Sequence, residues 1–340
     1  MNDYRALLRA LIAGHDLDAE AMAFAIGSMM DGTWSAVQSA AVLAALATKG
    51  ETPAEVVGAA EAMRARALHV EHELPLVVDT CGTGGDGAQT INVSTAVGFV
   101  VAGCGLHVAK HGNRAASSLC GSADVLEASG IAIDVSPERA RRQLEGDGFT
   151  FLYAPHYHPA AKEVAPIRRE LGVRTVFNIL GPLANPARAT HQMIGVATPS
   201  NLELVGEALA ALGGHCGAIV HATSGIDEVA GDVPTHVYQF GPAGTKRWLL
   251  DPAAFGIAAP ADALAGGEPA ANAAALRAIL AGERSPRADV VALNAALVLV
   301  IAERAQDLAD GLALARESLT SGAAFAVFER LRQPTEAEFA

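Results

Sequence analysis

From residue 74 onward the chain alternates short β-branched runs with longer amphipathic stretches, and this alternation limits its fold more than any other feature. The runs are "LPLVVDT" (74–80), "LHVAKHG" (106–112), "IAIDVS" (131–136), "FTFLYAP" (149–155), "HQMIGVAT" (191–198), "GAIVHAT" (217–223) and "HVYQF" (236–240). Between them lie helical stretches such as "SPERARRQLEG" and "NLELVGEALAALGG". Strands separated by helices cannot be joined as hairpins, so the pattern predicts an α/β domain whose sheet is at least partly parallel. Before residue 74 there is no strand signal. Four segments up to about residue 70 carry apolar residues at three and four spacing, divided by Gly, Asp or Thr-Pro, and predict a small helical unit. Helices are also expected near 272–282, 286–306 and 308–332. One stretch, 158–187, is helical but broken by Pro166, Gly172 and Pro182. It reads as a return excursion into the helical unit, which would make that unit discontinuous and leave a cleft between two domains.

The chain has 340 residues, 51% of them hydrophobic, enough for more than one core. Its net charge of -13 argues against nucleic acid, whose non-specific binding depends on cations that displace counterions. Of only four lysines, Lys110 lies beside a glycine-rich stretch, which suggests a local anion site rather than a basic face. Cys81, Cys104, Cys120 and Cys216 form no C-x-x-C pair, so neither a zinc site nor a thioredoxin motif is indicated and reduced thiols are expected. No apolar run is long enough for a membrane span and the first residues lack signal-peptide character, so a soluble cytoplasmic protein is expected.

Three stretches carry chemistry. "CGTGGDGAQTINVST" (81–95) places Gly82, Gly84, Gly85 and Gly87 between a strand and a helix, where bare amides and a helix N-terminus can meet a phosphate. The spacing fits neither G-x-G-x-x-G nor the P-loop, and glycines alone could equally make a tight turn. Asp86, Thr90, Asn92, Ser94 and Thr95, following at once, favour a site. "KHGNRAASS" (110–118) follows the next strand and is dense in donors: Lys110, His111, Asn113, Arg114, Ser117 and Ser118. Two loops at adjacent strand ends could grip one polyanion. His111 taken alone would more often be a hydrogen-bonded structural histidine. "GIDEVA" (225–230) sets Asp227 beside Glu228 just past a strand. An exposed acidic loop accounts for that pair as well as a metal site does. Beside a phosphate site, however, two carboxylates call for a divalent cation such as Mg²⁺.

In order along the chain, "GTGGD", "NVST", "KHGNR", "SSLCGSADVLEASG", "GVRTVFNILGPLANPA" and "GIDEV" resemble the anthranilate phosphoribosyltransferase family over essentially the whole length. Nucleoside phosphorylases, the related alternative, carry a K-x-S-G-R type of sequence at "KHGNR"; a catalytically silent binding protein is the other. The resemblance implies a small helical N-terminal domain plus a larger α/β domain with a central mixed, largely parallel sheet. The boundaries would be 1–72 with 162–187 for the first and 73–161 with 188–340 for the second. It further implies a homodimer, two Mg²⁺ ions, and phosphoribosyl pyrophosphate and anthranilate as substrates. By motif, Gly82, Gly85, Asp86, Thr90, Asn92, Val93, Ser94 and Thr95 would line the diphosphate and ribose site. Lys110, His111, Gly112, Asn113, Arg114, Ala115, Ala116, Ser117, Ser118 and Ser122 would hold phosphates, with Lys110, His111 and Asn113 closest to the chemistry. Ser94, Asp227 and Glu228 would bind metal. Gly82, Asn113, His158, Arg168, Gly181 and Pro182 would meet anthranilate. Leu119 stands where family members often have a basic residue.

Overall fold

The computed structural model describes residues 3–115 and 118–332; Ala116 and Ser117 of the expected phosphate-binding stretch lie outside the described residues. Four helices open the chain: α1 (Tyr4–Ile12), α2 (Ala19–Met30), α3 (Ala36–Lys49) and α4 (Pro53–Arg64). Asp3, Asp18, Ser35 and Thr52 each accept a first-turn amide, and the last two complete capping boxes with Gln38 and Glu55. Each cap satisfies a donor without an intrahelical partner, stabilising the helix by about 1 kcal/mol. The Glu55 carboxylate is wholly buried, and Leu17 N–H and Lys49 Nζ donate to it.

The remainder runs β1 (Val78–Gly82), α5 (Val93–Gly103), β2 (Val108–Gly112), α6 (Ser122–Ala128), α7 (Pro137–Arg142), β3 (Phe149–Tyr153), α8 (Ala154–Tyr157), α9 (Ala165–Leu171), α10 (Phe177–Leu183) and β4 (His191–Gly195). Then come α11 (Asn201–Ala211), β5 (Cys216–Ala222), β6 (Thr235–Gly241), β7 (Gly244–Leu250), α12 (Pro269–Leu280), α13 (Pro286–Ile301), α14 (Leu308–Thr320) and α15 (Ala323–Arg332). The seven strands form one sheet in the order β3-β2-β1-β4-β5-β6-β7. The first five are parallel and β6 and β7 are antiparallel, which is the mixed, largely parallel sheet expected.

Both faces of the sheet are covered. Successive residues point to opposite sides of a strand, so Met193, Ala218 and Val220 join a core with α5, α13 and α15, whereas Ile194 and Ile219 join α1–α4 and α11. Burial from every side explains why α5 and α13 are apolar all round. Val164 before α9, and Val176, Phe177, Leu180 and Leu183 around α10, pack in the core of the four N-terminal helices.

Two sequence expectations are corrected and one strand is new. Residues 131–136 are not a strand. Ile131, Ile133 and Val135 are buried and their neighbours exposed, so the alternation reports one buried face without a hydrogen-bonded ladder. Strand β7 went unread because it is a mostly exposed edge, joined to β6 by a two-residue turn closed by Gly241 and Gly244. The stretch 308–332 is two helices, broken at Ser321 and at Gly322, whose φ of 80° is the left-handed conformation glycine tolerates.

Candidate active site

Because β2 and β4 flank β1, the strand order reverses between β1 and β4, and it is beyond the C-terminal strand ends at such a reversal that α/β sheets form their ligand crevice. Gly82 and Gly195 face each other there as register partners. Asp227, in the loop after β5, lies across both. A Cβ on Gly82 would come within 2.5 Å of its Oδ2, and one on Gly195 would overlap its carbonyl oxygen. Glycine at both strand ends is therefore what lets the acidic loop reach the crevice. Sequence reasoning found Gly82 and missed Gly195, whose only signal is a glycine ending the run "HQMIG".

The glycine loop and the start of α5 form one wall. Gly84, Gly85 and Gly87 have φ of 64°, 78° and 75°, a left-handed path open to glycine, with Gly84 N–H donating to Asp227 Oδ2 at 2.8 Å. Asp227 N–H faces Asp86 Oδ2 at 3.4 Å, and Ser94 N–H in the first turn of α5 donates to Glu228 Oε1 at 3.2 Å. The structure thus brings Gly82, Gly85, Asp86, Ser94, Asp227 and Glu228 together. Burial pushes the Glu228 and Asp227 carboxyls above the usual carboxylate range, and repulsion adds to it, from Asp227 and Asp86 on Glu228 and from Asp86 on Asp227. Thr90 and Asn92 follow on the approach to α5; Val93 and Thr95 turn into the core, Thr95 with its hydroxyl unpartnered. Asn92 caps nothing: its Nδ2 donates to Cys120 O at 3.1 Å.

The second wall follows β2. Lys110, expected at the phosphates, is turned inward and 1% exposed; its Nζ donates to Thr80 O and, at 3.2 Å, to Ser94 Oγ. Lys110 also lies near Asp79, a fully buried carboxylate that accepts His111 N–H and Asn185 Nδ2. Burial still raises the Asp79 carboxyl. Gly112 leaves room for Ser122 Oγ, which donates to the Asn113 carbonyl at 3.2 Å, and the Asn113 side chain faces solvent. Arg114 pairs with Asp124 and Glu127, and Asp124 accepts Ala115 N–H at 2.9 Å, so this arginine is committed within the protein. Ser118 is exposed.

The third wall is the excursion. His111 Nδ1 lies 2.8 Å from Gly181 O in α10. A carbonyl only accepts, so Nδ1 carries the proton and Nε2, buried and without a partner, keeps its lone pair. The His158 ring is 5.0 Å from that of His111, is 2% exposed, and neither of its nitrogens has a partner of good geometry. Burial, with the neighbouring imidazole, lowers His158 to about 3, and burial lowers His111 as well, so both are neutral at pH 7. Pro182 O accepts Gln192 Nε2 at 2.9 Å. The Arg168 guanidinium is half-buried over the Phe177 ring at 5.4 Å, and among the described residues no carboxylate pairs with it. Removal from water without a counter-charge lowers its pKa, the condition of a cation set for an anionic partner. Arg169 is exposed. Arg174, which sequence reasoning passed over, reaches from the same excursion to Gly85 O at 3.4 Å.

Two family models match the chain: a glycosyl transferase family helical bundle domain over residues 5–67 and a glycosyl transferase family a/b domain over residues 74–325. A curated anthranilate phosphoribosyltransferase from Thermomicrobium roseum is 48% identical over 332 residues, covering 96% of this chain and 95% of its own. The crystal structure of the anthranilate phosphoribosyltransferase from Thermus thermophilus superposes with a TM-score of 0.91 at 43% identity, covering 96% of this chain and 98% of its own. A solved structure of the anthranilate phosphoribosyltransferase from Saccharomyces cerevisiae in complex with PRPP and Mg superposes with a TM-score of 0.88 at 27% identity, covering 96% of each.

Proposed function

Since this chain belongs to the anthranilate phosphoribosyltransferase family, we propose that it transfers the phosphoribosyl group of phosphoribosyl pyrophosphate to the amine of anthranilate, releasing pyrophosphate, in the second step from chorismate to tryptophan. The observation that carries this reading is the meeting of three walls at one crevice. Amides and acids of the glycine loop and the 225–230 loop suit a metal-bound diphosphate, while the excursion offers an unpaired guanidinium and the neutral His158 imidazole, beside that of His111 on β2, to an aromatic acid.

The donor set is oxygen-rich, as Mg²⁺ requires, and a divalent cation would offset the burial and the repulsion among carboxylates that raise Asp227 and Glu228. Among the described residues no three acidic, His or Cys side chains converge as a ready-made metal site. A cation here would thus take most of its ligands from substrate phosphates and water, its usual mode. Two ions are proposed, held by Ser94 and by Asp227 with Glu228. Bound Mg²⁺ supplies Lewis-acid stabilisation of the departing diphosphate.

The protein's part is positioning and charge. The amides of Gly85, Asp86 and Gly87, which have no partner among the described residues, face the leaving group, while those of Gly84 and Ser94 are held by Asp227 and Glu228. Lys110, buried behind Thr80 and Ser94, supports that charge from within the fold. Arg168 matches the anthranilate carboxylate as a bidentate partner. An aromatic amine is neutral at pH 7 and needs no base before attack. Its surplus proton has an acceptor in His111 Nε2, whose tautomer Gly181 sets.

The proposed division assigns 1–72 with 162–187 to a helical domain and 73–161 with 188–340 to the α/β domain, supported by the shared core of α10 and the first four helices. A homodimer through the helical domain is supported by Ile12 and Val37, which are 71% and 79% exposed on α1 and α3. Among the described residues no helix is long and apolar enough to cross a membrane, which is compatible with the proposed cytoplasmic location.

The test is to mix the purified protein with phosphoribosyl pyrophosphate, Mg²⁺ and anthranilate and follow anthranilate fluorescence. Loss that requires all three is expected. No loss from folded protein with every component in excess would overturn the reading.

A further inference from the structure

Donor-side residue Asn92 is held by a part of the chain far from it in sequence. The segment 264–272, leading into α12, is stitched along 89–92: Ile91 N–H donates to Leu264 O at 2.8 Å, Gly266 N–H donates to Gln89 O at 2.8 Å, and Thr90 pairs with Ala265. A Cβ on Gly266 would lie 2.5 Å from Thr90 O, so the two strands of chain touch backbone to backbone. At the end of this seam Asn272, 3% exposed in the first turn of α12, donates from Nδ2 to Asn92 Oδ1 at 3.0 Å and accepts Gly267 N–H on Oδ1 at 2.8 Å.

These bonds fix a chemical orientation. A primary amide has two near-equivalent orientations that exchange its oxygen and nitrogen. Asn272 has its oxygen committed to Gly267 N–H, so it can only donate toward Asn92. Asn92 must then present oxygen to Asn272, where Cys120 Sγ also reaches it at 3.6 Å, and nitrogen to Cys120 O, so Asn272 and Cys120 hold one orientation together and one Nδ2 hydrogen has no partner among the described residues. We infer that Asn272 is a positioning residue for the phosphoribosyl donor: it sets the amide of Asn92 so that Asn92 can offer an N–H, and not an acceptor, to the ribose or diphosphate oxygens. The inference rests on the proposed reading, in which Asn92 lines the donor site.

Two substitutions separate positioning from architecture. Asn272→Asp keeps an acceptor for Gly267 N–H, is compatible with a helix first turn, and removes the donor to Asn92. Asn272→Ala removes both. Steady-state rates of the full-length protein are measured with the phosphoribosyl donor varied at saturating anthranilate, and the reverse, alongside thermal melts. Asn272→Asp is expected to raise the donor KM about tenfold, the scale of one buried hydrogen bond, with the anthranilate KM and the Tm near wild type. In an Asn92→Ala background the same substitution is expected to add nothing to the donor KM. A donor KM for Asn272→Asp equal to wild type, or equal rises in both KM values with a lowered Tm, would overturn the inference and make Asn272 architectural. If the wild-type chain consumes no anthranilate, the functional reading fails and the inference falls with it; normal wild-type turnover beside an unaffected Asn272→Asp defeats the inference alone.

Discussion

At the scale of single residues, two side chains of the excursion carry opposite electrostatic problems. Arg168 is a cation half-removed from water with no carboxylate partner, and anthranilate would supply one. Arg168→Ala is expected to raise the anthranilate KM more than tenfold, a loss of about 1.5 to 3 kcal/mol as for other charged hydrogen-bond pairs, with the donor KM little changed. An unchanged anthranilate KM would remove Arg168 from the site. His158 is a buried neutral imidazole held near 3, whereas in the unfolded chain it titrates near 6.5. Below pH 6.5 the unfolded chain therefore binds a proton that the folded chain refuses. The stability this neutral ring allows is full above 6.5 and is lost as the pH falls toward 3. Between pH 7 and pH 5 the loss amounts to about 2 kcal/mol. Thermal melts should show that loss, and His158→Asn should flatten the profile; an identical pH profile in the variant would refute the assignment.

At the scale of elements, the site depends on how strands end. Gly82 and Gly195 close β1 and β4 side by side so that the Asp227 backbone can cross them. Gly195→Ala would drive a methyl into the Asp227 carbonyl and shift the acidic loop while leaving the sheet paired. We expect kcat/KM to fall at least about a hundredfold, since displacements of an ångström cost that much, with the far-ultraviolet circular dichroism unchanged. Near-normal activity would show that the acidic loop need not sit where it does. Legibility in the sequence divides along the same line. The buried parallel strands and the capped N-terminal helices were readable because burial and capping are local patterns. Residues 131–136 misled because alternation encodes a buried face and not a hydrogen-bond partner. Strand β7 was hidden because an exposed edge needs no apolar residues. Gly82, Asp227 and Glu228 stood in recognisable stretches, whereas Gly195 and Asn272 matter only through contacts across the fold, which no local window contains.

At the scale of the molecule, the N-terminal helices are tied to α10 and α11 by polar contacts as well as by their shared core. Arg64 of α4, half-buried, donates from Nε to Leu183 O at the end of α10 and from Nη1 to Leu212 O just past α11. One guanidinium thus closes two helix C-termini from different parts of the chain, where a cation also meets the favourable end of each dipole. Arg64→Ala should cost about 2 kcal/mol, seen as a lowered Tm, with KM values near wild type if the loss is confined to stability. A Tm equal to wild type would show that the two carbonyls find water instead.

The order of strands in the sheet has one further consequence, for time rather than geometry. Strand β1 pairs with β4 directly, and the loop that completes the crevice follows β5. A chain emerging from the ribosome holds its glycine loop long before it holds Gly195 or Asp227, so no early folding intermediate owns a finished crevice. Pairings between distant segments close slowly because their entropy must be met before any contact rewards it. In refolding from denaturant, anthranilate turnover should therefore return with the slowest phase, after most helical signal is already back.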